Sequence, residues 1–146
     1  MCADRNRGGQ DIKPLKQMVR VAEVMKSDVD IVDGMTTVSE ALTHMKYPET
    51  RTIVVDKRHD DDEYGVVMFR DIAKRVLAPD LSPHRINMYE IMSKPVISVD
   101  PQMDVRYCTK LFDRFGISRA PVIKKGKIIG LVSYTDIVLK GVIGQD

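Results

Sequence analysis

Two stretches of this chain carry one pattern, Gly65-Val-Val-Met-Phe-Arg-Asp71 and Gly130-Leu-Val-Ser-Tyr-Thr-Asp136. A second matched pair consists of Val21-Ala-Glu-Val-Met25, which precedes the first of these stretches, and Met88-Tyr-Glu-Ile-Met92, which precedes the second. Matching residues stand 67 positions apart as far as Val55 and 65 apart from the glycines onward. A duplication that keeps its offset indicates two copies of one structural unit. The first copy has two extra residues in a polar stretch, where a longer surface loop costs little closure entropy.

The composition is that of a small globular protein without an excess of charge. The chain has 146 residues, which is ordinary single-domain size, so we expect the two repeats to share one compact body. Hydrophobic residues make up 43% and Trp is absent, which predicts a core of aliphatic side chains. The formal net charge of +2 gives no general field for attracting a polyanion, so no nucleic-acid partner is predicted.

Cysteine usage and hydropathy give no sign of a metal site, a disulfide or a membrane. Cys2 and Cys108 have no CxxC or Cys/His neighbours. No apolar run approaches the ~20 residues of a membrane span, and the polar start of the chain lacks the apolar core of a signal peptide. We therefore expect a cytoplasmic protein with no membrane partner.

Caps and turns predict the same element order in both repeats. Thr37-Val-Ser-Glu40 has the form of a capping box at a helix start, and Asp104 is the matching cap of the second repeat. A β-rich run follows each helix. The next turn, Lys124–Lys127, is short enough for a hairpin, whereas the first repeat has the acidic loop His59–Glu63. The predicted order is strand, helix, strand, strand, helix, twice.

The predicted boundaries follow from these elements. Each second strand is expected to end at Asp71 or Asp136, before a helix that starts at Ile72 or Ile137. Two prolines resist continued helix between the copies. The chain is thus divided into a disordered tail at 1–11, a first repeat with its lead-in segment at 12–78, a linker at 79–87 and a second repeat at 88–146.

From about Val19 to Val142, these duplicated motifs resemble the tandem cystathionine β-synthase (CBS) domain pair, often called a Bateman module. The motifs Val96-Ile-Ser-Val-Asp-Pro101 and Ile117-Ser-Arg-Ala-Pro-Val122 add to the resemblance. It implies an α+β fold of two β-α-β-β-α repeats related by a pseudo-twofold axis. It also implies two clefts between the repeats that commonly take adenine nucleotides, and a role that is regulatory and not catalytic.

The second repeat fits the recurring binding pattern of that family. The pattern is Gly, hydrophobic, any, Ser or Thr, any, any, Asp, which Gly130, Leu131, Ser133 and Asp136 match. A carboxylate at a helix start can accept hydrogen bonds from both ribose hydroxyls, so Asp136 is the predicted ribose ligand. Ser133 and Thr135 stand at alternate positions of the predicted strand end, where both hydroxyls can face ribose and phosphate oxygens.

The resemblance extends the predicted sites to the strand entries of both repeats. Arg119 resembles the phosphate-binding arginine of the family. In such pairs, each cleft holds the adenine on backbone and apolar groups of the partner repeat's strand entry. For the Asp136 cleft this segment is Thr50-Arg51-Thr52, and for the Asp71 cleft it is Ile117-Ser118-Arg119.

The Asp71 cleft departs from the pattern. Met68 replaces the Ser or Thr and removes a hydroxyl group. Arg70 is either a phosphate contact that compensates for this loss or a solvated surface residue. Nucleotide binding at this cleft is therefore left open.

Structural roles compete with each binding role. An aspartate before a helix also serves as an N-cap, and charges such as Arg51 and Arg119 before strands also block aggregation. The carboxylates of the acidic loop can hold a hard cation, but a solvated loop is favoured because the glycine and terminal Glu of an EF-hand are missing. No residue pattern indicates catalysis.

The expected function is that of a regulatory module with no obligatory cofactor. AMP, ADP or ATP binds as a regulatory ligand, and the module acts on a separate, unidentified protein by a change of conformation or assembly. The family commonly forms twofold dimers and C2 homodimers are the commonest assembly, so a homodimer is predicted. The alternative function is a nucleotide-free structural module that mediates dimerisation.

Overall fold

A computed structural model describes residues 18–94 and 96–142. The tail predicted at 1–11, most of the lead-in (12–17) and the last four residues lie outside this range. Helices and strands are interspersed in both repeats, which confirms the predicted α+β class. Within the described residues, no helix has the length and apolar character needed to cross a membrane.

The described residues form short helices and strands. Two short 3₁₀ turns, Pro48–Thr50 and Met88–Glu90, and a π-helical turn, Ala73–Leu77, accompany the regular elements. The helices and strands are α1 (Val21–Val24), β1 (Asp30–Val32), α2 (Val38–Thr43), β2 (Thr52–Val55), β3 (Gly65–Met68), α3 (Phe69–Ile72), α4 (Val105–Phe115), β4 (Arg119–Lys124), β5 (Lys127–Ser133) and α5 (Tyr134–Gly141).

The chain forms two compact units, each with its own sheet. Residues Ser27–Ser98 surround a sheet of order β1-β2-β3, in which β1 and β2 are parallel and β2 and β3 are antiparallel. Residues 18–26 and 99–142 surround the antiparallel pair β4-β5. We call them the 27–98 unit and the 99–142 unit, the latter including residues 18–26.

The first strand predicted for the second repeat is reduced to a single bridge in the described residues. Val99 forms a single parallel bridge to Val122, with its N–H on the Pro121 carbonyl at 3.0 Å and its carbonyl accepting from Ile123 N–H at 3.0 Å. Its counterpart in the first repeat, β1, extends over three residues. Pro101 follows two positions later and has no N–H to donate, so the ladder cannot continue through it.

The predicted caps and hairpin are present. Thr37 Oγ1 accepts from Glu40 N–H at 3.1 Å while Glu40 Oε1 accepts from Thr37 N–H at 3.0 Å. Asp104 Oδ1 accepts from Arg106 N–H at 2.8 Å at the start of α4. Lys125 and Gly126, with φ of 52° and 78°, form the two-residue turn between β4 and β5, as expected for a hairpin with positive φ at both positions.

The second helix of each repeat begins earlier than the sequence predicted. α3 starts at Phe69 and α5 at Tyr134, so Asp71 and Asp136 lie in the first helical turn and not at the strand end. The start of α5 lies earlier because a capping box begins at Ser133, three residues before the aspartate, and in α3 Met68 N–H donates to Asp71 Oδ2 at the same spacing.

Each unit takes one core segment from the other sequence repeat. Val19, Val21 and Val24 belong to the first repeat by sequence, yet they are buried in the core of the 99–142 unit. Met88 and Ile91 belong to the second repeat, yet they are buried in the core of the 27–98 unit. The duplicated motifs Val21–Met25 and Met88–Met92 are therefore exchanged between the units. We call the stretches that contain them, 18–26 and 88–93, the lead-in segments.

Glycine makes this exchange sterically possible. Lys26 and Leu131 exchange two backbone hydrogen bonds, 2.9 and 2.8 Å, at the edge of β5, and Ser93 and Val66 do the same at β3, 2.9 and 3.0 Å. A Cβ at Gly130 would overlap the Lys26 carbonyl oxygen, which is backbone and cannot move aside. Each pattern glycine thus admits a lead-in segment against its strand.

Replacing Gly130 with alanine is expected to destabilise the protein by about 1–3 kcal/mol, the range of overpacking in a well-packed interior. Gly65→Ala should cost less, because the added Cβ meets the flexible Met92 side chain. Gly141→Ala is the matched control, since its Cβ lies 3.7 Å from Val24 in ordinary contact and alanine favours helix. Urea unfolding monitored by circular dichroism measures all three. Equal midpoints for Gly130→Ala and Gly141→Ala would contradict this account.

Candidate functional site

Asp136 is the most enclosed charged residue among the predicted ligands. Its side chain is 7% exposed. The Ser133 N–H and hydroxyl both donate to its Oδ2, each at 3.0 Å, and its own N–H donates to Ser133 Oγ at 3.2 Å. These reciprocal bonds satisfy free amides at the start of α5 and hold the carboxylate in one orientation.

The second carboxylate oxygen of Asp136 is less fully engaged. In the described part of the chain, Oδ1 pairs with the Lys26 amine at 3.7 Å, which is beyond hydrogen-bond distance. A carboxylate oxygen can accept two hydrogen bonds. Oδ1 therefore keeps acceptor capacity beside a rigidly held Oδ2.

The hydroxyls of Ser133 and Thr135 do not have the relation predicted from the sequence. Ser133 is the last residue of β5 and the N-cap of α5, whereas Thr135 is the second residue of the helix. The expectation that both point to one side by strand alternation is therefore wrong. The Thr135 residue is exposed, and Ser133 is partly buried by its bonds to Asp136.

The other predicted residues of the second repeat surround the start of α5. Arg119 is paired with Ser133 across the antiparallel strands, so the two side chains are cross-strand neighbours. The Ser118 carbonyl accepts from Tyr134 N–H at 3.0 Å, which ties the entry of β4 to the helix start. Ile117 is half-buried and Leu131 is buried. The structure thus brings this predicted set together at one end of the β4-β5 sheet.

Lys26 is the residue that sequence analysis missed. Its backbone pairs with Leu131, and its side chain, 46% exposed, reaches Asp136. A sequence signal existed in Gly130, because a glycine in a strand often marks close approach of another backbone segment. The signal did not say which segment approaches.

The equivalent positions of the first repeat have different chemistry. Met68 N–H donates to Asp71 Oδ2 at 2.8 Å, but no hydroxyl supplements this bond, because Met68 stands where the second repeat has Ser133. Arg70 is exposed and Asp71 is half-buried. Ser93 takes the place of Lys26 at the edge of the sheet.

Thr50, Arg51 and Thr52 form a tight turn before β2. The Thr50 hydroxyl donates to the Tyr47 carbonyl at 2.8 Å and the Thr52 hydroxyl to the Thr50 carbonyl at 2.9 Å. Both threonines are buried, while Arg51 is exposed with a left-handed φ of 56°. The two hydroxyls support the turn, and the Arg51 side chain faces solvent.

The acidic loop is attached to the 27–98 unit by Asp62. The Asp62 side chain is 7% exposed and accepts from Arg58 Nε at 3.0 Å and Lys94 Nζ at 2.7 Å. The Arg58 guanidinium, followed by the Lys94 amine, holds the pKa of Asp62 well below its ordinary value. Asp62 is therefore a structural anchor, while Asp60 and Asp61 are exposed as expected for a solvated loop.

A separate cavity of about 490 Å³ lies in the 27–98 unit, at the end of the sheet opposite Thr52 and Met68. Its wall includes Asp33 and Asp56, which follow the parallel strands β1 and β2, together with Tyr89. No sequence motif marked this cavity.

Cys108 has no sign of nucleophilic reactivity. It is buried in the core of the 99–142 unit, and burial raises the pKa of its thiol to about 11. A thiol with this pKa stays protonated near neutral pH, and the thiolate is the reactive form.

Comparison with known proteins finds relatives of both repeats. An uncharacterized protein of Methanopyrus kandleri is 31% identical over 82% of this chain and 61% of its own length. A CBS domain-containing protein of Bacillus subtilis is 26% identical over 84% of this chain and 85% of its own length. The chain thus spans about three fifths of the first relative.

Solved structures share the fold. The hexameric CBS-CP12 protein from bloom-forming cyanobacteria has a TM-score of 0.80 and 36% identity, over 86% of this chain and 70% of that one. A CBS domain protein from Pyrobaculum aerophilum, solved with AMP, has a TM-score of 0.70 and 23% identity, over 82% and 90%. The CBS domain pair of protein MJ0100, solved with 5′-methylthioadenosine and S-adenosyl-L-methionine, has a TM-score of 0.70 and 21% identity, over 82% and 93%.

The family model of the CBS domain matches twice, at residues 21–78 and 88–142. These two matches cover most of the chain and coincide with the duplicated motifs. The chain therefore belongs to the CBS domain family and carries two copies of the domain.

Proposed function

We propose that this protein is a regulatory module that binds an adenine nucleotide through Asp136. The observation that carries the proposal is the enclosed Asp136 carboxylate, with Oδ2 fixed by Ser133 and Oδ1 short of hydrogen bonds. A ribose diol offers two hydroxyl donors to such a carboxylate, and bonds to a charged acceptor are the stronger kind. Two CBS pairs of the same fold have been solved with adenine compounds, which supports this ligand class.

The groups around Asp136 suit the rest of a nucleotide. Arg119, a cross-strand neighbour of Ser133, is the proposed phosphate ligand, and the exposed Thr135 hydroxyl is a further donor at the helix start. Leu131 is buried in the strand that precedes Asp136, and Ile117 and Ser118 stay the sequence-based candidates for the Asp71 cleft. The remaining sequence-based candidates, Thr50, Arg51, Thr52, Asp71 and Arg70, stay proposals.

The proposed output is a signal and not a reaction. None of the relatives compared above carries an enzymatic name. A ligand that binds one arrangement of the protein better than another shifts their populations by its differential affinity. We propose that this shift, or a change of assembly, acts on a separate protein partner in the cytoplasm.

A homodimer is part of the proposal. In the 99–142 unit, α4 exposes Tyr107 (61%) and Phe115 (52%), and α5 exposes Val138 (52%) and Leu139 (54%). Large apolar side chains exposed on two helices of one unit are candidates for an interaction site. A second copy of the chain, related by twofold symmetry, is the proposed occupant.

The competing function is a nucleotide-free dimerisation module. The capping bonds of Ser133 and Asp136 favour it, because they give both residues a purely structural role. Under this alternative, the exposed helix faces are the functional surface and no adenine compound binds.

Asp136→Ala is expected to weaken binding of AMP by about 1.5–3 kcal/mol, the scale of hydrogen bonds to a charged group. Isothermal titration calorimetry with AMP, ADP and ATP measures the loss. Asp113→Ala, which removes an exposed carboxylate of α4, is the control for net charge. Thermal unfolding without ligand separates the effect of the lost cap. Unchanged affinity in Asp136→Ala, or no binding of any of the three by the wild type, would reject the proposed site.

The double variant Tyr107→Glu/Phe115→Glu is expected to be monomeric, because two buried carboxylates without partners are costly at an apolar interface. Sedimentation velocity across a range of protein concentrations distinguishes monomer from dimer. Lys124→Glu, an exposed charge change at the β4-β5 hairpin, is the control and should keep the assembly of the wild type. A dimeric double variant would exclude this surface as the interface.

A further inference from the structure

The 18–26 segment brings an ammonium group to the Asp136 carboxylate. Two backbone hydrogen bonds fix Lys26 against Leu131, and Gly130 leaves room for this approach. From that position the Lys26 side chain reaches the first turn of α5, with Nζ 3.7 Å from Asp136 Oδ1. Backbone pairing thus fixes the main chain of Lys26 beside the site. The long side chain can still move its amine within reach of Asp136.

This ion pair is weak enough to be exchanged for a ligand. Its separation is longer than a hydrogen bond, and the Lys26 side chain is 46% exposed. Asp136 is only 7% exposed, so water reaches the pair from the lysine side, and the two groups lack the close, hydrogen-bonded geometry that makes a partly buried pair strong. A hydroxyl group that donates to Oδ1 therefore replaces the pair at little cost, and the amine is left without its anion.

The charge of the ligand then determines whether the Lys26 amine gains a new anionic partner, and therefore how tightly the ligand binds. A nucleoside 5′-phosphate supplies an anion to Lys26 at the same time as its ribose takes Asp136. A neutral nucleoside supplies the hydroxyls but no anion, and a cationic ligand repels the released amine. Since Lys is a compact cation that binds phosphate as a point charge, no special geometry is required.

The other repeat lacks this device. Ser93 occupies the equivalent edge position beside Val66. An uncharged serine there cannot respond to a phosphate as an ammonium does. At this edge position Lys26 has a charge that Ser93 lacks, while in the helix turn the first repeat has Arg70 where the second has Thr135.

We propose that Lys26 makes the Asp136 site selective for phosphorylated adenine nucleosides over neutral ones, an inference that rests on the proposed function. Lys26 exchanges its contact with Asp136 for one with the ligand phosphate. It is a specificity-determining residue of this chain, supplied by the lead-in segment of the first repeat.

The test compares AMP with adenosine in calorimetric titrations of the wild type, Lys26→Gln and Lys26→Ser, the last copying the residue of the other repeat. Either substitution should weaken AMP binding roughly tenfold, the scale of one hydrogen bond to a charged group, and change adenosine binding by less than about twofold. Lys140→Gln, an exposed lysine of the same unit, should leave both affinities as in the wild type. Backbone pairing of residue 26 is available to all three side chains, and thermal unfolding checks that the variants fold.

A second readout is the dependence of AMP affinity on salt. Screening weakens contacts between exposed charges, so the dependence should be steeper in the wild type than in Lys26→Gln. Equal losses for AMP and adenosine would show that Lys26 acts only by positioning Asp136 and would overturn the proposal. Unchanged AMP affinity in both variants would overturn it while leaving the proposed function intact. Failure of the wild type to bind either compound would overturn both.

Discussion

Each unit depends on one constraint: a backbone segment from the other sequence repeat must pack closely against a strand glycine. Lys26 pairs with Leu131, and Ser93 pairs with Val66. The residue before each strand partner is a glycine, Gly130 or Gly65, which has no side chain to obstruct the segment. The segments bring Val21 and Val24 into one core and Met88 and Ile91 into the other. Without these contributions, each short sheet would expose part of its apolar face to water. The glycine of the family's binding pattern therefore has a structural function here, independent of any ligand.

The two units use this frame for different chemistry. In the 99–142 unit, Ser133 holds Asp136 by two donors and Lys26 stands beside the remaining oxygen. In the 27–98 unit, Met68 holds Asp71 by its N–H, and Ser93 stands at the edge. The two copies share these backbone relations, while the side chains at Lys26 and Ser133 have no chemical equivalent in the 27–98 unit. A carboxylate that is both fixed and close to a cation suits an anionic nucleotide better than one that is held by a single bond.

Local signals in the sequence predicted local structure well. The capping box at Thr37, the cap at Asp104 and the hairpin at Lys125–Gly126 are each encoded within a few residues, and the structure contains all of them. The starts of α3 and α5 were placed too late because Asp136 was interpreted as the end of a strand, whereas the capping box starts at Ser133. The first strand predicted for the second repeat is only a bridge at Val99, because Pro101 has no N–H with which to continue the ladder. The exchange of the lead-in segments was beyond the sequence, because two copies of one motif do not reveal which copy packs on which sheet. The role of Lys26 depends on that exchange and was missed for the same reason.

The most direct test of the claim that Asp136 and its neighbours form the nucleotide site is a titration of ¹⁵N-labelled protein with AMP, followed by amide NMR. We expect the amides of Lys26, Ser133 and Asp136 to shift progressively and saturably with AMP. Each forms part of the backbone that positions the carboxylate or the amine, and each has a counterpart in the other repeat, at Ser93, Met68 and Asp71, that should shift less. Saturable shifts confined to the amides of Ser93, Met68 and Asp71, or no shifts at millimolar AMP, would contradict the account.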